Sequence, residues 1–304
     1  MSLAAESLVA CGDHLGEGAC YDSKRGRLWW VDVPTPSRLH ALDVASGETT
    51  RWDMPQMIAA ARPCADDGAL MVACHGGVAR FDLNSGALTP LLDPEPDKPF
   101  NRSNDAGTDP KGRFWFGAMQ NNIAPDGAPI AIVGRSGALY RLDADMSLTR
   151  FEADIGISNT VCWSPDGRTM YFFCDTLDRV IFAYDYDVDD GVPSNRRPFA
   201  TFDRGDPDGS TVDADGCLWN ARWDGHCVVR FTPRGEIDQV VERPVAKVTS
   251  CAFGGPNLDP LFITTSRYGM SAADRAAAPL SGNLFVCRPG VKGLPTPAFA
   301  GALR

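Results

Sequence analysis

The sequence predicts an all-β protein: a six-bladed β-propeller, with four-stranded antiparallel blades around a central channel. Three observations carry this. Six short segments share one form, a polar turn closing on Gly or Pro and then an apolar run, starting at Leu28, Leu70, Phe114, Met170, Leu218 and Leu261, roughly 45 residues apart. After each comes an alternating apolar and polar stretch, most often closing on an Asp or Gly turn, the pattern of a half-buried strand entering a hairpin. Amphipathic helical periodicity is absent at useful length. About four strands in about 45 residues is the content of one blade. Six such units occupy the 304 residues as a single domain, with no room for a second.

The apolar runs define one strand per unit, among them Leu28-Trp29-Trp30-Val31, Leu70-Met71-Val72-Ala73, Phe114-Trp115-Phe116 and Met170-Tyr171-Phe172-Phe173. The turns before them carry Gly or Pro at the tight positions, as in Asp109-Pro110-Lys111-Gly112 and Asp213-Ala214-Asp215-Gly216. The next strands read Leu39 to Asp43, Val78 to Asp82, Leu139 to Asp143, Ile181 to Asp185, Val228 to Phe231 and Leu284 to Val286, and a further short strand follows, such as Thr49 to Trp52. The early run Ser7-Leu8-Val9-Ala10 precedes the first unit. It is expected to close the sixth blade, removing an exposed sheet edge. Two loops exceed the repeat, Gln120 to Gly137 and Val33 to Ser37, and each is a candidate to cover the mouth of the ring.

Composition narrows the function classes. Net charge is −10, without a run of five like charges, which argues against a nucleic-acid phosphate footprint and against adsorption to anionic membranes. No stretch approaches the ~18 apolar residues of a spanning helix, and the first residues lack the basic start and apolar centre of a signal peptide. A cytoplasmic protein is expected, and nothing in the sequence points to a protein partner. The ten cysteines include no C-x-x-C pair, so zinc-ribbon and redox motifs have little support and free cysteines packed as small core hydrophobes are expected. The four histidines are widely separated, and none is locally paired with a nucleophile.

Ten or eleven residues before four of the six anchors stand Glu17, Asn104, Asn159 and Asp208. The matching places in the other two units hold Ala59 or Ala60, and Ser250 or Cys251. Each position begins an innermost strand, so the four polar side chains are expected to converge on the channel. A buried ionised carboxylate carries a large desolvation penalty unless paired, and a divalent cation would relieve it. All-oxygen ligation selects a hard ion, Ca²⁺, Mg²⁺ or Mn²⁺; the other reading is that these residues only solvate a water-filled channel or hold turns. Period-two alternation places Arg102 on the side of Asn104, where its guanidinium suits a clamp on carbonyl and hydroxyl oxygens.

The segments Gly16-Glu17-Gly18, Asn101-Arg102-Ser103-Asn104-Asp105, Ile157-Ser158-Asn159, Pro207-Asp208-Gly209 and Thr249-Ser250-Cys251-Ala252-Phe253-Gly254-Gly255 resemble the signature segments of the regucalcin (SMP-30)/gluconolactonase family. So do Phe182 to Asp187 and Ser194-Asn195-Arg196-Arg197. The resemblance implies a six-bladed propeller that opens sugar lactones to aldonic acids with one divalent metal (Ca²⁺, Zn²⁺, Mg²⁺ or Mn²⁺). It implies Glu17, Asn159 and Asp208 as metal ligands, Asp208 also as general base, and Arg102 and Asn104 as substrate-binding residues. Some animal members carry a Glu at the position that corresponds here to Asn121, which is therefore expected at the substrate's hydroxyls. Two other activities fit an oxygen-lined propeller site: a metal-dependent phosphotriesterase or aryl-esterase, and a non-catalytic calcium-binding propeller.

Overall fold

The structure is a computed structural model that describes residues 3–173 and 179–302; Cys174, one of the ten cysteines, lies outside them. Six sheets follow one another around a ring, each built around consecutive antiparallel strands of one repeat. The innermost strands are Gly16–Asp22, Ile58–Pro63, Asn101–Thr108, Asn159–Trp163, Asp206–Val212 and Val248–Phe253, in blades 1 to 6. The predicted apolar anchors form the second strands: Arg27–Asp32, Ala69–Cys74, Phe114–Gln120, Thr169–Phe173, Leu218–Trp223 and Leu261–Thr265.

These second strands are apolar at successive positions over most of their length because each is packed on both faces. Leu28 and Trp30 point into the core shared with blade 6, whereas Trp29 and Val31 point into the core shared with blade 2. In blade 3, Phe114 and Phe116 face blade 2 and Trp115 faces blade 4. Successive side chains of a strand leave opposite faces, so a strand between two blades needs apolar residues at both phases. Six such cores, one between every neighbouring pair of blades, hold the ring. The outermost strands, such as Thr49–Asp53, are largely exposed and correspondingly polar.

Closure follows the expectation. Glu6–Val9 pairs antiparallel with Leu284–Cys287, so the sixth blade takes its outer strand from the start of the sequence. Leu3–Ala4 additionally pairs in parallel with Ile237–Glu242 on blade 5, an element absent from the sequence reading. A helix, Ala272–Ala277, was also not foreseen; it is capped by Ser271 and Asp274 in a reciprocal box. The nine described cysteines are free, seven of them buried, as expected of small core hydrophobes. Among the described residues no helix is long and apolar enough to cross a membrane.

The two long loops differ in what they do. Residues 120–137 fold over one mouth of the channel, with Ile123 buried against the core of blades 1 and 2 and Asn122, Pro129, Ile130 and Ile132 on a cavity wall. The 33–37 loop instead stitches blade 1 to blade 2: the Ser37 hydroxyl donates to the Asp32 carbonyl at 2.9 Å and accepts the Ile58 amide at 3.1 Å. At the opposite mouth, the last described segment runs beneath the ring. Its Gly293 bridges to Asp213 and its Phe299 to Cys64, and the Ala300 amide donates to Gly112.

Candidate active site

All six innermost strands share an irregularity that aims their side chains. Pairing with the second strand shifts register between Glu17 and Cys20, Ser103 and Ala106, Asn159 and Cys162, and Pro207 and Ser210. Blades 2 and 6 shift at the matching places. A β-bulge bends its strand and re-aims a side chain, and here each of the four predicted oxygen residues sits at or beside one. The residue after Glu17 is Gly18, whose φ of +65° and close approach to the Ala59 carbonyl (a Cβ would lie 3.0 Å from it) suit Gly alone.

The four residues do converge. Together with Arg102 they line a cavity of about 340 Å³, within the range of small-molecule sites. The Asn104 amide donates to the Asn159 side-chain oxygen at 2.9 Å and to the Ser158 carbonyl at 2.8 Å. Arg102 donates through Nη1 to the Asn104 oxygen at 2.7 Å and through Nη2 to the Asn122 oxygen at 2.9 Å. Its Nε has no partner among the described residues, although Arg102 is 4% exposed. The Glu17 and Asp208 carboxyls face each other closely enough to perturb one another's ionisation. Above this polar floor the cavity wall is apolar, with Leu15, Met119, Ile130, Ile157 and Trp223. The Tyr268 hydroxyl donates to the Asn122 carbonyl and ties the 120–137 loop to blade 6.

Burial, and then the charge of neighbouring Asp105, pushes Glu17 up to about 8. Burial and the Glu17 charge hold Asp208 well above the ordinary carboxylate range. Two carboxylates at one buried place cannot both ionise without help. Arg102, itself driven down to about 10 by burial, supplies one positive charge nearby. No trio of His, Cys, Asp or Glu gathers as a metal group among the described residues. The donor set is instead two carboxylates and the Asn159 amide oxygen, whose orientation is fixed by Asn104. This set fits a hard divalent cation, which would neutralise the facing carboxylates while leaving coordination places for water and ligand.

Asn121 is not brought into the group. Its side-chain oxygen accepts the Ile123 amide and its amide donates to the Ile123 carbonyl, at 3.1 and 3.0 Å, closing its own turn. Asn122 takes the place beside Arg102. The reason is local: the strand ends at Gln120 and the chain turns, so alternation no longer predicts which of two adjacent Asn residues faces inward. Asn122 and Tyr268 are thus site residues that sequence reasoning missed. The run Asn121-Asn122 held the signal for the first, whereas Tyr268 reaches the site only through the fold.

Fold and site define a six-bladed propeller with a small-molecule cavity over an oxygen-lined cluster at one end of its channel. The SMP-30/Gluconolactonase/LRE-like region matches residues 15–267, and the chain belongs to that family. It is 39% identical to an L-arabinolactonase of Azospirillum brasilense, over 95% of this chain and 93% of the other. It is 33% identical to a 6-deoxy-6-sulfogluconolactonase of Pseudomonas putida, over 94% and 95%. The crystal structure of a calcium-binding protein, regucalcin, from Agrobacterium tumefaciens superposes with a TM-score of 0.89 at 32% identity, covering 98% of this chain and 97% of that one.

Proposed function

We propose that this protein is a lactonase that hydrolyses a sugar lactone to its hydroxy acid, with a divalent cation held by Glu17, Asn159 and Asp208. The observation that carries the reading is the convergence of those three oxygen donors with Arg102 and Asn104 on the floor of one cavity. The lactonase names of two relatives that match nearly the whole chain support it. A cation bound there would supply a Lewis acid for the lactone carbonyl and its developing oxyanion. Asp208 takes the proton of the attacking water as the water oxygen bonds to the carbonyl carbon. The ring carbon–oxygen bond then breaks, and Asp208 returns the proton to the departing ring oxygen, leaving a carboxylic acid and a free hydroxyl. Arg102, held by Asn104 on one side and Asn122 on the other, orients the substrate's oxygens. Ile130 and Ile132 add an apolar wall beside the reacting group, which a bound lactone would cover and so reduce water access.

The test strips the protein with chelator and measures acid release from five- and six-membered lactones as Ca²⁺, Zn²⁺, Mg²⁺ or Mn²⁺ is restored, with the spontaneous opening subtracted. Ring opening that returns with cation is the expected result. Rates unchanged by chelation would sink the cation, tight cation binding with no ring opening would favour a binding protein, and faster turnover of a phosphotriester would favour the esterase class.

Arg102→Lys is expected to lower kcat/KM for the lactone by about 10- to 100-fold, mostly through KM. An ammonium cannot span the two amide oxygens that the planar guanidinium bridges. Steady-state kinetics of the purified variant check this.

A further inference from the structure

Beneath the oxygen cluster lies a second tier that the reaction does not use directly. Asp105 is the neighbour of Asn104 in the sequence; its carboxylate accepts the Ala106 amide at 2.8 Å, and the backbone amides of Thr160 and Val161 in blade 4 face it closely enough to favour its charge. Arg62 of blade 2 lies against it at 3.4 Å. The same guanidinium donates to the Gly18 carbonyl of blade 1 at 3.1 Å, one residue beyond Glu17, and to the Ala106 carbonyl.

Thr160 is the centre of this tier. It follows Asn159 as Gly18 follows Glu17, yet it holds a φ of 58° with a β-branched side chain. A β-branched residue in the left-handed region is strained, and such strain persists only where the surroundings impose it. The amides at Thr160 and Val161 are the blade 4 groups that face Asp105. The Thr160 hydroxyl in turn donates to the carbonyl of Asp208 at 2.6 Å, which also accepts the Asn220 amide at 2.9 Å. One chain of contacts therefore runs from Gly18 through Arg62, Asp105 and Thr160 to Asp208, touching the backbone at or beside all three ligand positions.

We propose that Asp105, paired with Arg62, is a positioning residue that fixes the left-handed turn at Thr160 and thereby sets Asn159 and Asp208 against Glu17. This rests on the reading of those three residues as cation ligands. Asp105 touches neither substrate nor cation; it acts through the backbone. Mutating the partners that orient metal ligands lowers metal affinity by about 10- to 100-fold.

The experiment is calorimetric titration of chelator-treated protein with Mn²⁺ and with Ca²⁺, alongside melting curves and amide hydrogen exchange. Asp105→Ala is expected to lose about 10- to 100-fold in cation affinity and to lose protection at the Thr160 and Val161 amides. Asp105→Asn keeps the shape and an acceptor oxygen, so it should lose less; it also stands in if the Ala variant fails to fold. Ile181→Ala, a truncation in the core of blades 4 and 5, supplies a variant of lowered melting temperature whose cation affinity should match wild type. Folded Asp105 variants that bind Mn²⁺ and Ca²⁺ as tightly as wild type would overturn the proposal, as would an affinity loss shared by Ile181→Ala. Failure of wild type itself to bind either cation would overturn the cation reading, and this proposal with it, before any variant is compared.

Discussion

Asp208→Asn is expected to lower lactone turnover by about 10³-fold or more, the size that follows if Asp208 is, as proposed, a general base and a cation ligand. Asp208 is 5% exposed and faces the Glu17 carboxyl, whose charge disfavours its own. An amide of the same shape removes a charge that burial already disfavours, so the fold should not suffer. Melting temperature in the cation-free protein is expected to stay level or rise, while kcat collapses. Parallel melting curves and kcat measurements check both halves. A variant with near-normal turnover would remove Asp208 from the role of base, and a variant that unfolds would show that the carboxyl serves the fold.

The second expectation concerns pH. A carboxyl whose value is raised by folding binds more protons in the folded state than in the unfolded chain, so stability falls as pH rises through that interval. Glu17 and Asp208 are both shifted this way, by burial first and by neighbouring carboxylates second. The interval runs from the free-carboxyl range near ~4 up to about 8 for Glu17. Chelator-treated protein should therefore melt several degrees lower at pH 8 than at pH 5.5, and saturating Ca²⁺ or Mn²⁺ should abolish the drop by stabilising the ionised pair. Glu17→Gln should flatten the cation-free profile. A profile in the chelated protein that rises over this interval would contradict the burial of an unneutralised pair.

Sequence and structure agree most where the physics is repetitive. The second strands are sandwiched between two inter-blade cores, so runs such as Leu28-Trp29-Trp30-Val31 are apolar at both phases and stand out six times at blade spacing. The innermost strands are harder to read. They face a channel, carry polar residues, and break alternation at their bulges, so counting back from the anchors locates Glu17, Asn104, Asn159 and Asp208 better than any strand pattern does. What was not legible depends on backbone geometry. Asn122 replaces Asn121 because a turn begins one residue past the strand end. The left-handed conformation of Thr160 has no signature in a Thr codon, since that state favours Gly or Asn. Asp105 stands one residue from a predicted site residue, but its contact with Arg62 of blade 2 comes only from the fold.

The strand that closes blade 6 has a consequence for how this protein acquires activity. Glu17 belongs to blade 1 and Asp208 to blade 5, and blade 6 lies between them around the ring. Their approach across the channel needs blade 6 packed between blades 5 and 1, and that blade is complete when Glu6–Val9 meets Leu284–Cys287, a contact between residues almost the whole chain apart. Such distant pairings form late because the intervening chain must be ordered first. A nascent or half-refolded molecule can therefore hold five well-packed blades and still lack the proposed site. Uptake of a cation during refolding would report the moment at which the circle is fastened, making the ion a clock for the last step of assembly.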